Sequence, residues 1–176
     1  MKNTLDDVIN DIQKHWRGLD SYTVEHTRTQ LQKLTHTSVQ EPWLARLFAE
    51  KPQSQELHRD AKHGFILLAH FEKKGLYRAP HNHGAGWVFY ALHSGEMRVT
   101  TYKQITSPDG DTTLVSRGAN VIQPSNVTTY LPGDIHDTEC LSDWVLMFRL
   151  TSCDFQAEKQ SGRLIQFKDH TRKGLS

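Results

Sequence analysis

Two histidine-containing segments hold the residue types best suited to bind a metal ion. The first is PHNHGAGW, residues 80–87, in which His81 and His83 are separated by one residue. The second is YLPGDIHD, residues 130–137, which carries His136. Neutral imidazole is a common ligand for iron, copper, nickel and zinc. Because the chain contains 11 histidines, about 0.7 His-x-His pairs are expected by chance, so the first segment is informative only together with the second.

The local sequence of both segments explains how these side chains can be directed to one point. Side chains at positions i and i+2 of a strand share a face, so the two histidines of the first segment are expected to point the same way. Gly84 and Gly86 permit a bend beside whatever the histidines bind. In the second segment, Pro132 and Gly133 suit the centre of a type II turn, after which a strand begins. In a rolled sheet the three imidazoles would converge.

The N-terminal part of the chain, residues 1 to about 50, has the apolar periodicity of helices. Thr4 followed by Asp7 resembles a capping box and predicts the start of a first helix. Thr23 or a neighbour is expected to open a second helix, and Pro42 suits the first turn of a third. The apolar face of the first helix is predicted to comprise Leu5, Val8, Ile9, Ile12 and Trp16.

Beyond this segment, short apolar runs alternate with turns rich in glycine and proline, which is typical of an all-β sandwich or barrel. The candidate strands are residues 65–71, 87–94, 96–104, 112–118, 127–132 and 144–150. Residues 162–168 could supply one further strand. We therefore divide the chain into an N-terminal helical segment packed on the barrel (1–56), a β-barrel (57–170) and a C-terminal tail (171–176).

Composition argues against several classes of partner. The 21 Lys and Arg residues nearly balance the 20 Asp and Glu residues, so neither nucleic acid nor an anionic membrane is expected as a partner. No apolar run approaches the ~20 residues that a membrane span requires. The N-terminal stretch lacks the apolar core of a secretory signal. Cys140 and Cys153 are too few for a disulfide framework and are expected to be reduced, which predicts a cytoplasmic protein.

Together the motifs resemble those of the cupin superfamily. Gly75, followed by the pair His81-x-His83 and then by Gly95, is similar to the first cupin motif. Residues 132–136, PGDIH, are similar to the core of the second. The resemblance covers roughly residues 65–150. It implies a mainly β fold, the cupin double-stranded β-helix or jelly-roll barrel, with a metal ion in its mouth and, here, an N-terminal helical segment.

The first motif departs from the usual cupin pattern because it lacks a glutamate ligand. Trp87 and Val88 stand where that glutamate is usually found. The remaining three-histidine set resembles that of the thiol dioxygenases, cysteine dioxygenase and its relatives, and this resemblance implies iron(II), dioxygen and a small anionic substrate. Three neutral ligands leave a divalent ion with its full charge, which an anionic substrate would neutralise. Zinc, nickel and manganese remain alternative metals.

Further site residues follow from the same resemblance and from the predicted strands. In the thiol dioxygenases an arginine before the first core strand binds the substrate carboxylate, and Arg59 occupies a comparable place. Tyr90, Tyr102 and Tyr130 lie on predicted strands, where one hydroxyl could donate a hydrogen bond to substrate or dioxygen. Trp87 is expected to wall the pocket beside the metal. His70 could face the barrel interior. The strand at residues 144–150 lacks the tyrosine and histidine that the family often places there, which weakens the case for cysteine itself as substrate.

The sequence therefore predicts a mononuclear non-heme iron(II) dioxygenase that oxidises an organic thiol to a sulfinate. One alternative is a non-catalytic cupin that binds a metal or a small ligand. Another is a cupin enzyme of different chemistry, such as an isomerase, a lyase or a C–C-cleaving oxygenase, with another divalent metal. Because cupins often pair through their sheets, a homodimer is also consistent with the resemblance.

Overall fold

The computed structural model describes residues 3–168, and the predicted tail lies outside this range. Three helices come first: α1 (Thr4–His15), α2 (Ser21–Thr35) and α3 (Pro42–Glu50). The predicted cap of α1 is wrong by one residue: Asn3 is the N-cap and accepts a hydrogen bond from the Asp6 amide. Asparagine is preferred over threonine at this position.

Nine β-strands and a fourth helix follow within the described residues. They are β1 (Gln55–Arg59), β2 (Ile66–Lys73), β3 (Tyr77–His81), β4 (Val88–Ser94), β5 (Met97–Thr106), β6 (Thr112–Ile122), β7 (Val127–Tyr130), β8 (Ile135–Cys140), β9 (Trp144–Thr151) and α4 (Phe155–Gln160).

The strands form two antiparallel sheets whose neighbours are distant in sequence. One sheet has the order β1-β2-β9-β4-β7 and the other has the order β3-β8-β5-β6. The first strands of the barrel therefore lie beside the last, which closes the chain into a roll. This arrangement is the double-stranded β-helix of cupin type, and it confirms the predicted mainly β fold with an N-terminal helical segment.

Alternating side chains of the five-stranded sheet divide the core into two layers. On β4, Phe89 and Ala91 pack toward the three N-terminal helices. Val88, Tyr90 and Leu92 point the other way, into the space between the sheets. The helices therefore cover the outer face of one sheet, whereas the barrel interior lies on its inner face. No helix within residues 3–168 has both the length and the apolarity needed to cross a membrane.

Trp87 belongs to the outer layer, so the expectation that it walls the metal pocket is wrong. Its ring stacks on Trp16 of the N-terminal segment, with centroids 5.7 Å apart and planes inclined by 14°. It packs with the cluster formed by the helices and the outer face of the sheet. The side chain before a strand follows the same alternation as the strand, and here the alternation turns the indole outward.

Two strands and one helix were absent from the sequence prediction. Strand β1, QELHR, is polar and partly exposed, and β3, YRAPH, contains a proline that weakens a strand prediction. The predicted strand at residues 162–168 is wrong: this segment forms an isolated bridge between His81 and Gln166, after the unpredicted helix α4.

Candidate metal centre

Three histidines from two neighbouring strands and a bend come together at one end of the barrel. His81 is the last residue of β3 and pairs with His136 on β8. His83 follows in the irregular segment after β3. One ring nitrogen from each residue lies within 4.8 Å of one from each of the others. The three side chains that the sequence singled out as ligands are therefore close enough to hold one metal ion.

Each of the three rings keeps a nitrogen that makes no hydrogen bond within the described residues and is available to bind a metal ion. Nδ1 of His81 lies 2.9 Å from the carbonyl oxygen of Ala79, to which it can donate a proton while Nε2 stays available as a ligand. Nδ1 of both His83 and His136 is buried without a hydrogen-bond partner among the described residues. A buried polar atom without a partner is rare in folded proteins. A metal ion would satisfy these nitrogens, so the residues present fit such an ion.

Burial also keeps the three rings in the form that binds metals. It lowers the pKa of His83 to about 3 and the pKa of His136 well below its ordinary value, and it lowers the pKa of His81 as well. The neighbouring His81 ring lowers the pKa of His83 further, and both His81 and His83 lower the pKa of His136, because adjacent imidazolium charges would repel. All three are therefore neutral near pH 7, and neutral imidazole is the ligand form.

Two tyrosines contact His136 from the barrel interior. The Tyr90 hydroxyl lies 3.1 Å from Nε2 of His136, and burial raises the pKa of Tyr90 so that it stays protonated. The ring of Tyr130 lies over the same imidazole with centroids 4.0 Å apart. Tyr90 and Tyr130, both predicted from the sequence, thus lie against a candidate ligand histidine. The Tyr102 hydroxyl instead donates a hydrogen bond to the Asp137 carboxylate at 2.6 Å.

A cavity of about 420 Å³ opens beside His81 and His83. Its wall includes apolar side chains from β2 and five charged residues. Three of these are cationic and two are anionic: Arg59, Arg149 and Lys159 against Glu56 and Asp154. With a divalent ion on the histidines, the cavity would carry a strong positive charge and would favour small anions.

Arg59, the predicted carboxylate-binding residue, lines this cavity but is already paired. Its guanidinium contacts Glu56 at 2.8 Å and Asp154 at 2.9 Å. Hydrogen bonds to these two carboxylates raise its pKa above the ordinary arginine value. Asp154 is also the N-cap of α4. Arg59 therefore joins β1 to the start of α4, and its charge is neutralised within the protein.

Arg149 is the cavity residue that the sequence prediction missed. It lies on β9 opposite Leu68 on one side and Tyr90 on the other, and so faces the inside of the barrel. Its Nε is buried without a hydrogen-bond partner, and no carboxylate of residues 3–168 forms an ion pair with it. Burial lowers its pKa. The available signal was a lone arginine in the apolar strand WVLMFRLT.

Helix α4 and the segment after it cover the bend that carries His83. The Glu158 carboxylate accepts a hydrogen bond from the Ala85 amide at 3.0 Å and pairs with Arg163 at 2.6 Å. A Cβ atom on Gly86 would lie 2.7 Å from the Phe155 ring. The predicted bend is present: Gly84 has φ +62° and the Gly86 amide donates to the His83 carbonyl at 3.0 Å. Gly86 in addition makes room for this helix.

The same covering segment holds the residue between the two histidines of the first motif. The Asn82 amide donates to the Ile165 carbonyl at 3.0 Å, and the Ile165 amide donates to Asn82 Oδ1 at 2.9 Å. Asn82 thus points away from the metal centre, as expected from alternation, and ties the motif to the C-terminal part of the chain.

Fold and site together define a cupin-type double-stranded β-helix with a three-histidine group suited to a metal ion. No protein-family model and no curated protein sequence matches the chain. Similar solved structures include the cupin domain of Schizosaccharomyces pombe Cnp3, with 11% identity, a TM-score of 0.45, and coverage of 68% of this chain and 75% of that one. KdgF from Halomonas sp. has 10% identity and a TM-score of 0.44, with coverage of 59% and 82%.

A variant of oxalate decarboxylase from B. subtilis is also similar, with 17% identity and a TM-score of 0.46. The match covers 69% of this chain but only 30% of that protein. At these identities and TM-scores none of the likenesses bears on function, and the fold is assigned from the strand order of the two sheets.

Proposed function

We propose that the protein is a mononuclear iron(II) dioxygenase of cupin fold that oxidises a small anionic thiol to a sulfinate. The observation that carries the proposal is a cluster of three neutral histidines with no carboxylate in the group, beside a small cationic cavity. A bound divalent ion would keep its full charge in such a set. That charge favours a thiolate as the substrate group.

When bound, iron(II) would activate dioxygen and provide a cationic position for the thiolate sulfur. The chain supplies the remaining functions. Tyr90 fixes the ring of His136 through its hydroxyl, and α4 forms one wall of the cavity through Phe155, Gln156 and Lys159. The volume of about 420 Å³ lies near the lower end of ligand-binding pockets, which favours a substrate of few heavy atoms.

Dioxygen uptake tests this function directly. Protein loaded anaerobically with iron(II) is mixed with cysteine, 3-mercaptopropionate or cysteamine in oxygenated buffer. One thiol and one dioxygen should give one sulfinic acid: the S–H bond breaks, both oxygen atoms bond to sulfur, and the four electrons lost by sulfur reduce dioxygen. Labelled dioxygen should place both atoms in the product. If no thiol stimulates uptake above the level of the His136→Ala variant, thiol dioxygenation is excluded.

A ligand-binding cupin without catalysis is the second candidate. It is favoured by the side chains that line the cavity within the described part of the chain. Apart from the histidines, the titratable ones are arginine, lysine, and two carboxylates already paired with Arg59, so none is poised to transfer a proton. In that case the protein would retain stoichiometric metal and bind small anions without consuming dioxygen.

A further inference from the structure

The side chain of Arg149 projects into the cavity beside the candidate metal centre. The residues paired with it across the sheet, Leu68 and Tyr90, show that its side chain projects from the inner face of the five-stranded sheet. It lines the same cavity as His81 and His83. Its guanidinium therefore enters the cavity from the wall formed by β9, next to the candidate metal centre.

The charge of Arg149 is not balanced by the protein. Glu72, the buried carboxylate that acts on Arg149 electrostatically, contacts Arg78 at 2.6 Å and forms its ion pair there. No other carboxylate within residues 3–168 forms an ion pair with Arg149. A partly buried guanidinium without a partner is costly, and an arginine presents several donors in a planar fork suited to a carboxylate. A ligand anion would supply the missing partner.

The cavity offers no corresponding place for an ammonium group. Its two carboxylates, Glu56 and Asp154, both contact Arg59. Lys159, the third cation of the wall, has no ion pair with any described residue. An amine entering the cavity would therefore lose its hydration, find no free anion and approach two unbalanced cations.

We propose that Arg149, rather than Arg59, is the anion-binding residue of the cavity, and that its ligand carries a carboxylate and no ammonium group. The inference rests on the proposed function to the extent that the thiol sulfur occupies the metal side of the cavity. Arg149 would bind the carboxylate at the other end of the ligand. The protein would therefore bind mercaptocarboxylates more tightly than aminothiols.

The test compares ligands that differ only in their terminal group. Iron(II)-loaded protein is titrated by calorimetry without oxygen, using 3-mercaptopropionate, the neutral 3-mercapto-1-propanol and the cationic cysteamine. The wild-type protein should bind the carboxylate about 10- to 100-fold more tightly than the alcohol, the range expected for charge-assisted hydrogen bonds. Cysteamine should bind more weakly than the alcohol.

Two variants separate the arginines. Arg149→Met should reduce the ratio between carboxylate and alcohol to about one, and Arg149→Lys should keep part of it, because lysine retains the charge but not the fork. Arg59→Met is the matched comparison, an identical change at the other arginine of the wall. It frees Glu56 and Asp154, which should lessen the ratio, but the carboxylate should still bind more tightly than the alcohol because Arg149 remains. A ratio that survives Arg149→Met, or collapses in Arg59→Met, overturns the proposal. If Arg149→Met does not fold, the Arg149→Lys variant and the wild-type ligand series decide.

The measurement is independent of turnover. Tight, Arg149-dependent binding of 3-mercaptopropionate without dioxygen uptake would refute the dioxygenase function and support the anion site. Dioxygen uptake with equal affinity for all three ligands would support the function and refute the anion site.

Discussion

The phenyl ring of Phe155 stacks on the imidazole of His83, with ring centroids 4.7 Å apart and planes inclined by 17°. Phe155 is the first residue of α4, so this helix directly contacts a candidate metal ligand. Gly86 permits the contact, because an added Cβ would lie 2.7 Å from the Phe155 ring and 2.8 Å from Cys153 Sγ. The bend after β3 and the start of α4 thus form one packing unit around His83.

Substitution of Gly86 by alanine should disturb this unit. Because Gly86 is not among the glycines with positive φ, the variant tests contact rather than backbone strain. Overpacking of this kind costs about 1–3 kcal/mol of unfolding free energy. Urea denaturation of metal-free Gly86→Ala measures the loss. The cost should shrink when Phe155→Leu is already present, since contacting residues couple. An equal cost in both backgrounds would show that Phe155 does not limit the space.

Removal of any one histidine of the triad should abolish metal retention. His81→Ala, His83→Ala and His136→Ala each leave two ligands, too few for a stable site. Elemental analysis of the purified proteins measures metal per chain. His36→Ala is the control, because His36 belongs to neither of the two groups of possible metal ligands within the described residues. A triad variant with a full complement of metal would remove that residue from the ligand set.

Removal of the Tyr90 hydroxyl should weaken metal affinity more than removal of the Tyr130 hydroxyl, although both tyrosines lie against His136. The Tyr90 hydroxyl contacts the His136 ring, whereas within the described residues no hydrogen bond joins Tyr130 to the triad. A partner that orients a ligand histidine typically contributes 10- to 100-fold to metal affinity. Tyr90→Phe should weaken affinity by about this factor in a chelator competition assay, and Tyr130→Phe should not. Equal losses would assign the effect to ring packing instead.

His70 should make the metal-free protein less stable in mild acid. It is buried on β2, and burial lowers its pKa to about 3. Below the unfolded pKa of about 6.5 the unfolded chain takes up a proton that the folded chain does not, so stability falls as pH falls from there toward 3. One such group contributes about 1.4 kcal/mol per pH unit.

The variant His70→Gln should therefore show a shallower loss of stability across this window. Denaturation curves at pH 4, 5 and 6 measure the slope, and curves above pH 7 give the baseline cost of the substitution. Parallel slopes for the variant and the wild-type protein would mean that His70 is protonated in the folded state.

The clustering of the three histidines could be predicted because its signal is local. The pair His81 and His83, and the turn before His136, are short motifs, and their residue types indicate the local backbone geometry. The predicted strands were recognised for the same reason, since alternation and turn residues occur within a few positions of each other. Their boundaries differ from the structure by a few residues at most, apart from the longer β6.

What could not be predicted depends on strand register and tertiary contact. The directions of Trp87 and Arg149 depend on which face of a strand each occupies, and a shift of one residue reverses that face. Helix α4 has only six residues, too short for a periodic pattern. The pairing of Arg59 with Asp154 joins residues far apart in sequence, and no local pattern reports it.

The hydrogen bonds between Asn82 and Ile165 have a consequence for biosynthesis. All three candidate ligands leave the ribosome before Ile165 does, because a chain is made and begins to fold from its N-terminus. A nascent chain would therefore contain all three histidines before it contains Ile165, whose hydrogen bonds to Asn82 hold the segment between His81 and His83. If these histidines hold a metal ion, we therefore expect stable loading only after synthesis has passed Ile165.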